Sequence, residues 1–426
     1  MLNKIINYLL LLFLLLLPWQ TRWIYQPGYL NSGYWEYGTY SFYGTQILLW
    51  LIIILFAVYK FVHREFWTKI FSREHFKTHR LNLLFGLLTI SLLAFFTLRS
   101  LNWQISYNFV FYILGGMCLV LIISQADFSA KKLITALWLS GLAQGFLAIW
   151  QFLSQGVLAS KWLGLAAHLA SDQGSFVVEF GGERWLRAYG SFGSPNSLGI
   201  YLAVIFILGL YLHNLAEKKS FKILLTAGQL IILSGLLFSF SRGSWVAAGA
   251  GVVAYIVIAS GVKRSEAMTR GLWPYAILLL VFLAVLFPFF SARFNLANRV
   301  EMKSVSERKT QLLEAKEIFW QNKILGVGPG AYTLALYEIF PTRPAWQYQP
   351  AHNIYALTLV EYGALGLAFW VWLYIFLLRK IIKINPAFLS VIITLLVAGL
   401  FDHWLGTMFT GVTLWWLIWG LGLRGE

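Results

Sequence analysis

The stretch ILLWLIIILFAVY, residues 47–59, runs for thirteen residues without a charge. LLLLFLLLL (9–17) and AILLLVFLAVLF (276–287) repeat the pattern, and similar runs recur along the chain. Each lies within a segment of roughly 15–22 apolar residues, enough for a helix to cross the ~30 Å hydrocarbon core of a bilayer. Working outward from these runs places spans near 2–18, 44–62, 81–98, 107–125, 133–154, 195–212, 223–240, 245–260, 273–290, 353–378, 387–402 and 411–423. The fold expected is all-α: a polytopic helical membrane protein of about 12 transmembrane helices, forming one membrane domain over 1–426.

Composition agrees. Charged residues are only 12% of the 426, hydrophobic residues 59%, and mean hydropathy is +0.69, too little polar surface for a soluble domain of this size. The first run follows Lys4 but ends in PWQTRW with no small-residue cleavage pattern, so it is expected to be retained as a span. Cys118 is the single cysteine and lies in an apolar run, which excludes an intramolecular disulfide and a cysteine metal cluster.

The net charge of +16 invites a nucleic-acid reading, but its distribution argues against one. With the N-terminus inside, the short cytoplasmic loops receive 19 of the 33 basic residues. These are Lys4, the cluster from Lys60 to Arg80, Lys131, Lys132, Lys218, Lys219, Lys222, Lys263, Arg264, Arg270, Arg379, Lys380, Lys383 and Arg424. The short outer hairpins hold almost none, as the positive-inside rule requires. The charge orients the protein in the membrane.

Two outer segments break the pattern by length, 155–194 and 291–351. Long polar connections inside compact folds are usually functional. The second carries Arg293, Arg299, Lys303, Arg308, Lys309, Lys316, Lys323 and Arg343 against five glutamates. Within it, SVSERKTQLLEAKEIFWQNKILGVGPG (304–330) reads as an amphipathic helix stopped by glycines. Such a helix either lies on the membrane and caps the bundle or forms a lid over a site. GVGPG lacks the Lys-Ser/Thr of a phosphate loop and reads as a turn.

The polar residues at outer helix ends carry the chemistry. ERWLRAYGSFGSPNSLGIYL (183–202) sets Arg187 above a helix start, with Ser194 as cap and Pro195 in the first turn. LLFSFSRGSW (236–245) puts Arg242 at an outer helix end, where a cation is disfavoured and either snorkels or binds a substrate. QYQPAHNIYAL (347–357) places His352 and Asn353 where the long loop gives way to an apolar run. FDHWLGTMF (401–409) adds Asp402 and His403, either a pair behind His352 or a rival base. Arg187, Arg242, Arg308 and His352 share the outer side. Guanidinium forks suit phosphate oxygens, so the set points to a phosphorylated, membrane-bound substrate. Glu361 is nine residues from His352; that spacing turns a helix about 900° and excludes a direct pair. It is expected to pair inside the bundle beside Gly363 and Gly366, whose small size permits close packing. The aromatic-rich segment 19–43 reads as an interfacial belt or as a surface for stacking on sugars.

Taken in order, RAYGSFGSPNSLGIYL, SFSRGSW, ERKTQLLEAKEIFWQNKILGVGPGAY and HNIYALTLVEYGALGL resemble the motifs of the O-antigen ligase and O-antigen polymerase superfamily, over about residues 183–370. The resemblance implies a GT-C-like glycosyltransferase of the bacterial inner (cytoplasmic) membrane, with a large external loop between spans 9 and 10 and its active site on the extracytoplasmic face. It implies an undecaprenyl-diphosphate-linked glycan donor, inversion at the anomeric centre, no metal and no cofactor. The acceptor would be lipid A-core, a second lipid-linked repeat or a protein. The family's catalytic histidine falls on His352, and its diphosphate-binding arginines on Arg242, Arg308 and Arg187, with Arg293 or Arg299 as alternatives to Arg308. Asn353, Glu361, Asp402 and His403 are the residues expected behind them. A transporter of lipid-linked oligosaccharide is the main alternative, although no internal repeat is visible and the polar residues avoid the midplane.

Overall fold

A computed structural model of the chain describes residues 2–62, 73–260, 272–295 and 298–424. Each of the twelve apolar stretches carries a helix. The first six are α1 (Leu2–Leu16), α2 (Gly44–Val62), α3 (Arg73–Leu98), α4 (Trp103–Gln125), α5 (Ala130–Ser154) and α6 (Pro195–Asn214). Then come α7 (Lys219–Phe238), α8 (Arg242–Ser260) and the pair α9 (Trp273–Val285) and α10 (Phe287–Phe294), bent by 81°. The large loop contains α11 (Arg299–Gln321) and α12 (Tyr332–Ile339). The chain closes with α13 (Ile354–Ile384), α14 (Leu389–Gly399), the single turn α15 (Trp404–Thr407) and α16 (Phe409–Arg424). Among the described residues six helices are long and apolar enough to cross a membrane, or seven if the bent pair is one span. A count of twelve requires the shorter helices to cross as well. The part of the basic cluster between residues 63 and 72, and Lys263, Arg264 and Arg270, lie outside the described residues.

The core is built around α6. Ser194 caps it by accepting from the Ser197 amide, and Pro195 opens its first turn, as the sequence reads. A helix apolar on every side must be surrounded, and 94% of the α6 window is buried. It is enclosed by α5, α7, α8 and α14.

The all-α expectation needs a correction. Four two-stranded antiparallel sheets occupy the connections between helices: β1 (Arg22–Gln26) with β4 (Tyr40–Tyr43), β2 (Tyr29–Leu30) with β3 (Gly33–Tyr34), β5 (Gly156–Val157) with β6 (His168–Leu169), and β7 (Val177–Phe180) with β8 (Glu183–Leu186). Two of the four are closed by two-residue turns. Gly181 and Gly182 both have positive φ between the paired Phe180 and Glu183, and Asn31 and Ser32 do the same between Leu30 and Gly33. Two-residue turns of this hand match the twist of a hairpin.

A second correction concerns Gly363. Instead of a packing glycine in a continuous span, it breaks α13, with φ 64° and ψ −173°. The chain at 323–328 crosses the break and takes up the freed groups. Ala364 donates to the Lys323 carbonyl at 2.9 Å, while the Val327 and Gly328 amides donate to the Val360 and Glu361 carbonyls at 3.1 and 2.9 Å. Only glycine fits; a Cβ here would stand 2.3 Å from the Ile324 oxygen.

The helix ends sort onto two faces. One gathers 18–43, 99–102, 155–194, 239–241, 298–353 and 400–408, tied by contacts such as Asn31 Nδ2 to the Pro341 carbonyl and Asn298 Nδ2 to the Glu179 carbonyl. The opposite face joins Asn3 and Asn7 to Asp127, Lys131 to the Leu215 carbonyl, and Arg424 to the carbonyls of Ile123, Ala126 and Phe128.

Candidate functional site

His352 stands just ahead of α13, on the loop-rich face. Asn353 is the helix cap, accepting from the Tyr355 and Ala356 amides at 3.0 Å and donating to the Leu400 carbonyl at 3.2 Å. Those bonds fix the histidine's backbone, and its Nδ1 lies 3.3 Å from Oδ2 of Asp402, in the corner between α14 and α15. Asp402 Oδ1 accepts from the Trp404 amide at 2.9 Å, and Oδ2 also accepts from Asn196 Nδ2 at 3.2 Å. Asn196, in the first turn of α6, accepts in turn from Arg187 Nη2 at 2.8 Å. The result is one hydrogen-bonded chain from Arg187 through Asn196 and Asp402 to His352.

Burial alone would push the Asp402 carboxyl up. The hydrogen bond from His352, the charges of His352 and His403 and the Trp404 amide outweigh it and hold Asp402 well below the usual carboxylate range. A carboxylate can only accept, so Nδ1 of His352 carries a proton, and in the neutral tautomer that this contact selects Nε2 bears the lone pair. His403 packs against His352 with ring centroids 5.0 Å apart and bonds Thr407 Oγ1. Burial pulls it down to about 4, with Asp402 opposing and His352 assisting, so it is neutral at physiological pH. Asp402 thus pairs with His352, and His403 is left with low proton affinity. Glu361 is remote from this group. Its carboxyl lies against the amides of Gly330 and Tyr332 at the start of α12, rather than beside a charged partner.

The arginines form a second group. Arg242 opens α8 and donates from Nη1 to the Arg293 carbonyl at 2.9 Å. Its Nη2 is 2.8 Å from Glu301 Oε2, but off the hydrogen-bonding direction, since that oxygen has no hydrogen-bond partner; the contact is ionic. Arg293 pairs with the other Glu301 oxygen and donates from Nε to the Phe240 carbonyl at 3.1 Å. Phe240 is left-handed, with φ 46°, a conformation costly for a side chain of this size. Its carbonyl is held by Arg293 and that of Ser239 by Arg187 Nε at 2.8 Å, so two buried arginines clamp the turn that presents Arg242.

Arg187, read from the sequence as a phosphate ligand, is therefore 5% exposed and engaged with the protein on two sides. Arg308 is half-buried on α11, two turns beyond Glu301, without a hydrogen-bond or ion-pair partner among the described residues. Its proton affinity is lowered by burial and by Arg242, against the pull of Asp402 and Glu301. Arg187 is depressed further, by burial and then by Arg293, with Arg242 adding to the effect. Arginine does not deprotonate in proteins. The four guanidinium groups face two carboxylates, Glu301 and Asp402, and two positive charges are left uncompensated.

His352, Asp402 and His403 also offer one ligand atom each within 4.8 Å of one another, a group able to hold a divalent ion. The sequence reading expected no metal, with no acidic cluster on the outer side, and placed Asp402 and His403 behind His352 as a pair or a rival base. A cavity of about 470 Å³ opens in front of this trio. Its far wall comes from the N-terminal hairpins, including Arg22, Glu36 and Tyr37.

Sequence reasoning missed Asn196 and the Arg22–Glu36 pair. Asn196 lies inside a quoted motif, at a capped helix start, but nothing local marks its partner.

Residues 227–371 match the family model described as O-antigen ligase. That span includes Arg242, Arg308 and His352, while Asn196 and Asp402 lie outside it on either side. Neither a curated protein nor a solved structure matches the chain.

Proposed function

We propose that this multi-pass membrane protein, whose residues 227–371 match the O-antigen ligase family model, transfers a glycan from undecaprenyl diphosphate to an acceptor hydroxyl on the extracytoplasmic side of the bacterial inner membrane. The observation that carries this reading is the pair of uncompensated positive charges beside an imidazole whose Nδ1 is occupied by Asp402. A diphosphate diester brings two negative charges, the number the arginine group lacks. Buried charge of one sign is costly until it is paired.

In this mechanism the acceptor O–H gives its proton to His352 Nε2 as the oxygen attacks the anomeric carbon. The bond from that carbon to the diphosphate breaks, and its electron pair leaves with the phosphate. A single displacement inverts the centre. Asp402 stabilises the imidazolium as it forms, a general-base contribution of about 10²–10⁴-fold in total. Arg242 and Arg308 stabilise the growing charge on the leaving diphosphate, a role a magnesium ion plays elsewhere. Arg242 and His352 lie at the starts of apolar helices and Arg308 on the loop helix α11, none of them midway along an apolar span, which supports an enzyme over a transporter. Ligase and polymerase differ only in the acceptor.

The test is transfer in vitro from a lipid-diphosphate-linked donor, with EDTA present throughout. His352→Ala is expected to lose about 10²–10⁴-fold in rate, and His352→Gln not to restore it, because an amide cannot take the proton. An alanine variant at the wild-type rate refutes the general-base role. Arrest of the wild type by EDTA would instead make His352, Asp402 and His403 ligands of a divalent ion.

A further inference from the structure

We propose that the cavity between His352 and the N-terminal hairpins is the acceptor site, and that it takes an uncharged sugar through its hydroxyl groups and one ring face. This rests on the glycosyltransferase reading above and assigns one of its two substrates to a place.

Charge separates the substrates. The arginine group carries an excess of positive charge, and none of its members lines the cavity. The cavity's own arginine, Arg22, is neutralised. Its Nη1 and Nη2 engage Glu36 Oε1 and Oε2 at 2.5 and 2.8 Å, and Tyr34 donates to the same carboxylate at 2.9 Å. With Arg22 and Glu36 cancelling, the lining offers a diphosphate no spare positive charge. Apart from Asp402, what remains is uncharged: Gln20 and Gln349 line the same space as Tyr37 and His352, beside the apolar surfaces of Phe176, Trp404 and Met408. Amides and an aromatic ring are the groups that hydrogen-bond and stack on an uncharged sugar, and a volume of about 470 Å³ suits a small-molecule site.

The aromatic residues of 19–43 divide accordingly. Trp23, Tyr25 and Tyr29 are exposed, as an interfacial belt would be. Tyr37 turns inward, edge-on to His403 at 6.0 Å, with its hydroxyl 3.4 Å from Gln349. The wall is also braced from both long loops. Asn31 donates to the Pro341 and Arg343 carbonyls at 2.6 and 2.7 Å, and Trp19 and Thr21 each donate to the Trp162 carbonyl at 2.6 Å. A belt that only touched lipid would need no such bracing across the mouth of the site. His352 lines the cavity and its Nδ1 is taken by Asp402. On this proposal its Nε2 receives the proton of an acceptor hydroxyl held there.

The experiment measures KM separately for each substrate with the full-length purified protein. The donor is the lipid-diphosphate-linked repeat unit. The acceptors are lipid A–core oligosaccharide in one arm and a second molecule of the lipid-linked repeat in the other. Gln349→Ala and Tyr37→Ala are expected to raise the acceptor KM about tenfold, the effect of losing one hydrogen bond or ring contact, and to leave the donor KM within about twofold. Tyr37→Phe keeps the ring and should keep the affinity. Gln349 is exposed, so its substitution reads the site without disturbing the fold. Unchanged acceptor KM in Gln349→Ala and Tyr37→Ala, or a rise in the donor KM alone, overturns the acceptor site while leaving the function intact. A wild type that transfers to neither acceptor overturns the function and this site with it.

Discussion

Asp402→Asn is the sharpest perturbation, because the carboxylate accepts three hydrogen bonds and an amide cannot. Oδ1 takes the Trp404 amide at 2.9 Å; Oδ2 takes Asn196 Nδ2 at 3.2 Å and His352 Nδ1 at 3.3 Å. An asparagine with its nitrogen at the first position meets the Trp404 N–H, a donor facing a donor. With its nitrogen at the second position it meets Asn196 and His352. Asn196 cannot turn to help, because its oxygen receives Arg187 Nη2 at 2.8 Å. Of the three partners only the imidazole can adapt, by moving its proton from Nδ1 to Nε2. A buried donor left unpaired costs about 1–3 kcal/mol, ample to drive that tautomer change.

The consequence is the loss of the lone pair that faces the acceptor. Transfer is expected to fall by about 10²–10⁴ in kcat, a barrier increase of roughly 3–5 kcal/mol, with the donor KM little changed. Asp402→Ala leaves room for water to accept from Nδ1, so it should retain more activity than the isosteric asparagine. A role through packing or charge alone predicts the reverse order. Nitrogen-15 shifts of labelled histidine in nanodiscs would read the tautomer directly. An asparagine variant within about threefold of the wild-type kcat would refute the orienting role.

Three further expectations follow from the same geometry. Arg242→Lys keeps the charge but loses the fork, so kcat/KM for the donor should drop about 10–100-fold at normal protein level; full activity would remove Arg242 from the site. His403 has its folded value near 4 against an ordinary 6.5, so the unfolded chain takes up a proton the folded one refuses, and stability should decline as pH falls from about 6.5 toward 4. Melting curves in EDTA should show this slope in the wild type and lose it in His403→Gln; the contribution of Asp402 has the same sign but disappears only below the ordinary carboxylate range. Gly363→Ala forces a side chain into φ 64° and against the Ile324 oxygen, so its melting temperature should fall by several degrees, about 2–3 kcal/mol; an unchanged value would mean the break is not needed.

The helices were legible because an uncharged run of membrane length has few other solutions, and no tertiary information is needed to see it. The small sheets were hidden by their brevity, since strands of two to five residues leave too little alternation to register. The turns of two of them were nonetheless written in the chain as Gly181-Gly182 and Asn31-Ser32. At the site, His352, Asp402, Arg242 and Arg187 were all visible as polar residues at helix ends. What one sequence does not carry is direction. Arg187 and Arg242 look equivalent as text, yet Arg187 is 5% exposed and bonded to Ser239 and Asn196, while the Arg242 side chain keeps 23% of its surface. The pairing of Asn196 with Asp402 spans 206 positions and depends on two helix starts meeting.

That meeting has an electrostatic result of its own. In an up-and-down bundle every second helix begins on the same face, so α6, α8 and α13 all start beside the site. Asn196 in α6 bonds Asp402, Asp402 bonds His352 before α13, and Ser244 in the first turn of α8 lies 3.5 Å from the Asn196 carbonyl. Each helix start contributes roughly half a positive charge from its free amides. Together they add to the excess already present on the arginines. On the topology read from the sequence, this is also the face from which the orientation rule removes basic residues. Arg242 therefore stands where membrane insertion opposes it, and both Arg242 and Arg308 stand where three helix ends repel them. An arrangement so unfavourable in the free protein becomes favourable when a dianion binds. The binding energy of the diphosphate is then concentrated at the bond that must break.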